Sequence, residues 1–120
     1  MIYSFGASEF DTDRRVLRLA GIVVDVEPKV FDLLAYLIQR HDQFVSRQEL
    51  YTQLWSQLFV SEAALNYCIA EARKAVGDNG RDQRVIKTVH GRGYRFIAPV
   101  TRRLPDSAPE EAALVPPPTT

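Results

Sequence analysis

The chain has 120 residues, 46% of them apolar, with 15 Lys/Arg balanced by 15 Asp/Glu. That is the size of one domain plus tails, and no apolar run approaches the roughly 18 residues a membrane span needs. One cysteine, Cys68, excludes an internal disulfide and any multi-cysteine zinc site.

The N-terminus, Met1-Ile2-Tyr3-Ser4-Phe5, lacks the basic and apolar regions of a signal peptide, so a cytoplasmic location is the default expectation. Residues 1–26 read as short strands. Ile2 to Phe5 is strand-like, and Phe10 belongs to a second short strand. Val16 to Leu19 precedes an Ala20-Gly21 turn, and Ile22 to Val26 is rich in β-branched residues. A small antiparallel sheet is expected, with one face packed on the rest of the domain.

Three helices come next. The first opens at Glu27-Pro28, where proline suits the first turn. It carries Phe31, Leu34, Leu37 and Ile38 at helical spacing and ends near Arg40-His41. The second starts at Ser46-Arg47-Gln48-Glu49, which has the form of a capping box. Its apolar side is Leu50, Leu54 and Trp55, and a short connection, Ser56 to Val60, leads on. The third has Ser61 as N-cap, runs to about Val76 and stops at Gly77. Leu65, Cys68 or Ile69, Ala72 and Val76 make its apolar stripe; Glu62, Asn66, Tyr67, Ala70, Arg73 and Lys74 take the remaining surface.

After a polar turn, Asp78 to Arg84, residues 85–97 read as two strands around a four-residue turn. Gly91 and Gly93 are expected to supply the positive φ that such turns require. Lys87, His90, Arg92 and Arg95 lie in and beside the turn. The overall charge of zero hides a strong asymmetry. Residues 1–72 hold six Lys/Arg against ten Asp/Glu, residues 73–103 hold nine against two, and residues 104–120 add only three acids. A net +7 thus coincides with the hairpin, enough to steer a polyanion locally even on a neutral protein. From Leu104 the composition turns to Pro, Ala, Glu and Thr. Residues 1–100 are therefore expected to fold and 101–120 to be a Pro-rich linker or disordered tail, as in the N-terminal module of something longer.

Two helices joined by a short turn, then a two-stranded hairpin, define a winged helix-turn-helix in an α+β fold. Five motifs, in order, extend the likeness: Glu27-Pro28-Lys29-Val30-Phe31-Asp32-Leu33-Leu34-Ala35-Tyr36-Leu37, Val45-Ser46-Arg47-Gln48-Glu49-Leu50, Leu54-Trp55, Ala72-Arg73-Lys74-Ala75-Val76-Gly77-Asp78, and Ile86-Lys87-Thr88-Val89-His90-Gly91-Arg92-Gly93-Tyr94-Arg95-Phe96. Over about five-sixths of its length the chain resembles the OmpR/PhoB-type effector domain of response regulators and of CadC/ToxR-like regulators.

The resemblance implies a sequence-specific double-stranded DNA-binding module of a transcriptional regulator. Recognition helix 61–76 would enter the major groove and wing 85–97 the adjacent minor groove, while phosphate contacts set register. It implies roles for Arg73 and Lys74 at the end of the recognition helix, where both also suit the helix dipole. Asn66 and Tyr67 fall at base- or methyl-contacting positions; Asn pairs with adenine edges, and Tyr67 equally fits the core rim. Ala70 and Glu71 stand where many response regulators carry arginines. Glu71 reads either as a cytosine contact or as a surface residue paired with Arg73 or Lys74. Arg92 is the expected minor-groove residue, and His90 is a phosphate contact or an unpartnered turn histidine. Thr88 and Arg47 are expected phosphate contacts, Arg47 equally a solvated side chain. Trp55 is expected at the core rim and Cys68 in the core. The resemblance further implies that the 56–60 loop contacts RNA polymerase, and because one module buries a modest area, two copies on tandem or inverted half-sites are expected to bind better than one.

An alternative is a winged helix used for protein contacts or dimerisation, favoured by Glu62, Ala70 and Glu71 and opposed by the basic hairpin. Two histidines, no nucleophile motif, no phosphate-cradling glycine loop and no metal-ligand spacing argue against an enzyme, and no cofactor is expected. There is no receiver-like acidic pocket in a βα repeat.

Overall fold

The computed structural model describes residues 1–55 and 61–104. The chain opens with four strands, β1 (Ile2–Phe5), β2 (Ser8–Asp11), β3 (Val16–Leu19) and β4 (Ile22–Val24). Helix α1 (Pro28–Gln39), strand β5 (Phe44–Ser46), and helices α2 (Arg47–Trp55) and α3 (Glu62–Ala75) come after them. The hairpin β6 (Ile86–Val89) and β7 (Gly93–Phe96) then leads to β8 (Thr101–Arg103). A five-stranded antiparallel sheet has the order β4-β3-β2-β1-β8, and a three-stranded one the order β5-β7-β6. This is the winged helix-turn-helix expected of the sequence, with two strands added.

Those two strands correct the expected boundaries. Residues from 101 onward were expected to be linker, yet Thr101–Arg103 pair with β1, with Ile2 opposite Arg103 and Ser4 opposite Thr101. An uncovered β1 would present a row of unpaired N–H and C=O groups; β8 covers it, and Arg103 Nη2 lies 3.5 Å from Glu9 Oε2. The folded unit therefore extends to Arg103, and residues 105–120 lie outside the described part. Strand β5 is three residues long, too short for alternation to announce it. It pairs with β7, Val45 opposite Tyr94 and Ser46 opposite Gly93.

The core lies between the five-stranded sheet, α1, α3 and the wing. Phe10 stacks on Phe31 at 4.3 Å, tying the sheet to α1, and Phe5 meets Phe96 edge-on at 5.0 Å, tying it to the wing. Phe31, Leu34, Leu37 and Ile38 of α1 and Leu65, Ile69 and Ala72 of α3 are all buried, as their spacing predicted, and Leu33 is buried with them. Each such aliphatic or aromatic side chain contributes about 1.5–3 kcal/mol by leaving water. At the start of α2 the capping box is half made. Ser46 Oγ accepts from the Glu49 N–H at 3.0 Å, while the Glu49 carboxylate accepts from the Tyr36 hydroxyl and lies 3.8 Å from Arg40 Nε. The tertiary partners draw it away from the backbone. Among the described residues no helix is long and apolar enough to cross a membrane, and no cluster of three or more His, Cys, Asp or Glu could hold a metal ion.

Candidate nucleic-acid interface

Helix α3 is bounded as its sequence predicts. Ser61 Oγ accepts from the Ala64 N–H at 3.3 Å, and Gly77 leaves the helix with φ +76°, a conformation that favours glycine. Leu65, Cys68, Ile69, Ala72 and Val76 turn inward, and burial pushes the Cys68 thiol pKa up. Asn66, Ala70 and Lys74 are exposed and, four residues apart, form one outward stripe.

Arg73 is not on that stripe. It is only 8% exposed, and its Nε and Nη2 donate to the Ile86 carbonyl at 3.1 and 3.0 Å. Nη2 also donates to Thr88 Oγ1 at 2.5 Å. Burial lowers its pKa, partly opposed by Asp78 and Tyr94. The direct DNA contact expected of Arg73 gives way to a fastening role between α3 and β6. The physical reason is its place in the helix: it comes four residues after Ile69 and continues the buried stripe. Thr88 is half-buried, and its oxygen accepts from Arg73, while among the described residues its O–H has no acceptor.

The wing is held from three more directions. In the turn 90–92, the Arg92 N–H donates to the Val89 carbonyl at 2.9 Å, and Gly91 has φ +71°. Gly93 was expected to be a second left-handed glycine; it is a strand residue instead. A Cβ there would sit 2.1 Å from the Val45 carbonyl oxygen and 2.8 Å from Ser46 Cα, so glycine is required by the close approach of β5. The Arg47 N–H, at the start of α2, donates to the Arg92 carbonyl at 3.1 Å. Behind the wing, the buried Asp78 carboxylate accepts from the N–H groups of Arg84, Val85 and Ile86 at 2.9, 2.8 and 3.1 Å. Burial pushes the Asp78 pKa up, but these amides and that of Asn79 outweigh it, and the net shift is downward. His90 and Arg92 project at the exposed tip. Lys87 and Arg95 are exposed and directly opposite one another across β6 and β7, on the sheet face turned away from Thr88 and Arg73. The basic hairpin thus divides its cations between the tip and the outer face.

Arg47 joins the pieces. Its Nη1 donates to the Tyr94 hydroxyl at 2.6 Å, and Nη2 donates to the Tyr51 hydroxyl and to Asn66 Oδ1, both at 3.3 Å. Burial tends to lower its pKa, but the two tyrosines and Glu62 raise it on balance. One guanidinium therefore bridges α2, α3 and β7, and among the described residues Nε and the second Nη1 hydrogen have no acceptor.

Tyr67 does not cover the core rim, one of its two expected roles. It is 49% exposed, and its hydroxyl donates to the Glu27 carboxylate, which pushes its pKa up to about 12. Glu71 forms no ion pair with Arg73 or Lys74 among the described residues. It lines, with Asp25, Glu27 and Lys74, a cleft of about 580 Å³ between the β4–α1 connection and α3. Trp55 is half-buried, with Lys29 Nζ 5.5 Å from its ring centroid. The 56–60 loop, expected to contact RNA polymerase, lies outside the described residues. Sequence reasoning missed Asp78 and the bridging role of Arg47, which depend on partners far along the chain.

Comparison with known proteins agrees with this architecture. A family model described as "Transcriptional regulatory protein, C terminal" matches residues 21–96. The transcriptional activator CadC of Escherichia coli is 33% identical over 99 residues, 82% of this chain but 19% of CadC, so the chain spans about a fifth of that relative's length. Among solved structures, the response regulator DrrB of Thermotoga maritima, an OmpR/PhoB homologue, superposes with a TM-score of 0.74 at 30% identity, over 80% of this chain and 44% of DrrB. The DNA-binding domain of Klebsiella pneumoniae RstA, solved in complex with the RstA box, gives 0.72 at 29% identity, over 80% of this chain and 96% of that one.

Proposed function

The chain belongs to the OmpR/PhoB-type family of transcriptional regulatory proteins, and on that premise we propose that it is a sequence-specific duplex-DNA-binding module of a transcriptional regulator acting in the cytoplasm. The outward stripe of α3, Asn66, Ala70 and Lys74, faces the major groove, where base edges are distinguishable. The wing tip, Arg92 with His90, enters the neighbouring minor groove, where a narrow A·T-rich stretch attracts a cation. Arg47 and Thr88 supply phosphate contacts at the joint, and Arg73 acts on DNA only by holding the wing. The observation that carries this reading is the bracing of two exposed reading surfaces as one body: Arg73 ties α3 to β6, and the Arg47 N–H ties α2 to the wing turn. A loose wing would lose entropy on binding that a braced one has already lost in folding.

One module buries about 600–1,000 Å² on DNA, so a single copy binds weakly and two copies on adjacent half-sites bind better. Fluorescence anisotropy on the regulator's own upstream fragment and on a scrambled duplex, over a salt series, tests the proposal. Tighter binding to the native fragment with a steep salt slope is expected. Equal, weak binding to both would remove the specificity. A second reading, a surface for protein contacts, rests on edge strand β4, where Ile22 and Val23 are 71% and 60% exposed. No DNA binding at low salt would put that reading first.

A further inference from the structure

Asn66 is the one side chain on the outward stripe of α3 able both to donate to and accept from a base edge. A free asparagine pairs with adenine by two hydrogen bonds, accepting from N6–H and donating to N7. Here the acceptor half is turned toward the protein. Arg47 Nη2 lies 3.3 Å from Asn66 Oδ1. A guanidinium has donors only, so the atom facing it must be the oxygen and the amide nitrogen must face away. The Arg47 guanidinium is itself held by Tyr94 and Tyr51, and the buried Tyr94 lies in a strand paired on both sides. Among the described residues Asn66 Nδ2 has no acceptor, and Ala70, one turn on, leaves room for a base to approach it.

We infer that Arg47 determines which base edge Asn66 reads: with Oδ1 held inward, Asn66 presents only its amide N–H groups and selects the all-acceptor edge of guanine, N7 and O6, over the mixed edge of an A·T pair. This rests on the proposed major-groove docking of α3. Arg47 is then a positioning residue for specificity as well as a phosphate contact. The adenine preference that an asparagine on a recognition helix ordinarily implies is switched off by its neighbour.

Selection of binding sites from randomised duplexes, with sequencing of the bound pool, tests this with the wild-type domain, Asn66→Ala, Arg47→Met, Arg47→Lys and the Arg47→Met/Asn66→Ala double variant. In the wild type, one base-pair position should favour G·C, and Asn66→Ala should flatten that position. Arg47→Met should turn the same position toward adenine by about fivefold or more, the discrimination of a two-point pair, and the double variant should flatten it again. If Arg47→Met does not fold, by thermal melting, Arg47→Lys serves; its compact ammonium keeps the charge without the planar fork. An A·T pair at the Asn66-dependent position of the wild type overturns the inference. So does an Asn66→Ala profile identical to wild type, or a folded Arg47 variant whose preference there is unchanged. Failure of the wild type to enrich any sequence would overturn the DNA-reading function itself, a different result from enrichment with the wrong base.

Discussion

The molecule has two exposed hairpins that the sequence presents alike, and the fold treats them differently. The wing, β6–β7, is a middle-and-edge pair of its sheet and is fastened by polar groups from three other elements: Arg73 from α3, Arg47 from α2 and Asp78 from the loop behind it. The hairpin β3–β4 ends its sheet, with no strand paired to the outer edge of β4 among the described residues, and Ile22 and Val23 stand 71% and 60% exposed. One hairpin is a positioned instrument and the other a sheet margin. Among the described residues, two of the three buried charged side chains, Arg73 and Asp78, belong to the fastening of the wing, and the third, Asp11, lies in β2. Taking Arg73 and Asp78 out of water is costly unless their hydrogen bonds are met, and both are used where the place of the wing relative to α3 is decided.

The sharpest way to break this contrast is at the two wing glycines. Gly93→Ala puts a Cβ 2.1 Å from the Val45 carbonyl oxygen, against backbone that cannot rotate aside. It should cost about 3 kcal/mol or more in urea unfolding, at the upper end of overpacking effects, and loosen β5 from β7. Gly91→Ala meets nothing within 4 Å and only adopts φ +71°; its cost should be about 1–2 kcal/mol. Equal losses for the two would show that β5 does not clamp the wing.

The two neighbouring cations of α3 separate fastening from contact. Arg73→Met leaves the Ile86 carbonyl and Thr88 hydroxyl without their donor and should lower stability by about 2 kcal/mol, the range for hydrogen bonds to charged groups. DNA affinity should fall for native and scrambled duplexes alike. Lys74→Ala should leave stability within about 0.5 kcal/mol and reduce the salt slope by about one. The reverse pattern would return Arg73 to the DNA surface.

How these roles read in the sequence depends on distance along the chain. The helices, their N-cap at Ser61 and their stop at Gly77, the apolar stripe of α3 and the wing strands were legible because each is specified by residues within a turn or two. Arg73 reads from its charge as a surface residue, although it stands four residues after Ile69, where the helix turns inward. Nothing local told that the Ile86 carbonyl would meet it there. Gly93 was noticed as a glycine and explained by turn geometry, whereas its cause is Val45, 48 positions away. β5 and β8 were missed because three residues carry too little pattern and their pairing partners are distant. The candidate DNA-facing positions came from the family likeness, and the structure redistributes them into an exposed set (Asn66, Ala70, Lys74, His90, Arg92) and an interlocked one (Arg47, Arg73, Thr88), with Tyr67 tied to Glu27.

The Asp78 clamp makes the wing's attachment pH-sensitive. The folded-state pKa of Asp78 lies below its ordinary value because the amide hydrogen bonds outweigh the effect of burial. A depressed carboxylate pKa contributes stability that is present above the unfolded-state value near 3.8 and is lost as pH falls through the folded-state value. Asp78→Asn should therefore destabilise by about 1–2 kcal/mol at pH 7. The gap from wild type should close below about pH 4. Thermal melts of both proteins between pH 2 and 7 check this. A gap that persists unchanged at the lowest pH would mean that Asp78 stabilises by its shape rather than its charge.

The smallest effect belongs to the other hairpin. Its turn, Ala20-Gly21, has positive φ at both residues, +53° and +81°, the two-residue turn that matches strand twist. Gly21 accepts this freely, but Ala20 holds a left-handed conformation that costs an L-residue with a Cβ about 1–2 kcal/mol. Asparagine is the residue this position favours, so Ala20→Asn should raise stability by about 0.5–1 kcal/mol, with DNA affinity unchanged. A gain in stability that also altered affinity would mean that β3–β4 communicates with the reading surfaces. A gain without it would fix the distinction between the hairpins: strain in the margin can be relieved at no cost to function, because none of the groups that position the wing are anchored there.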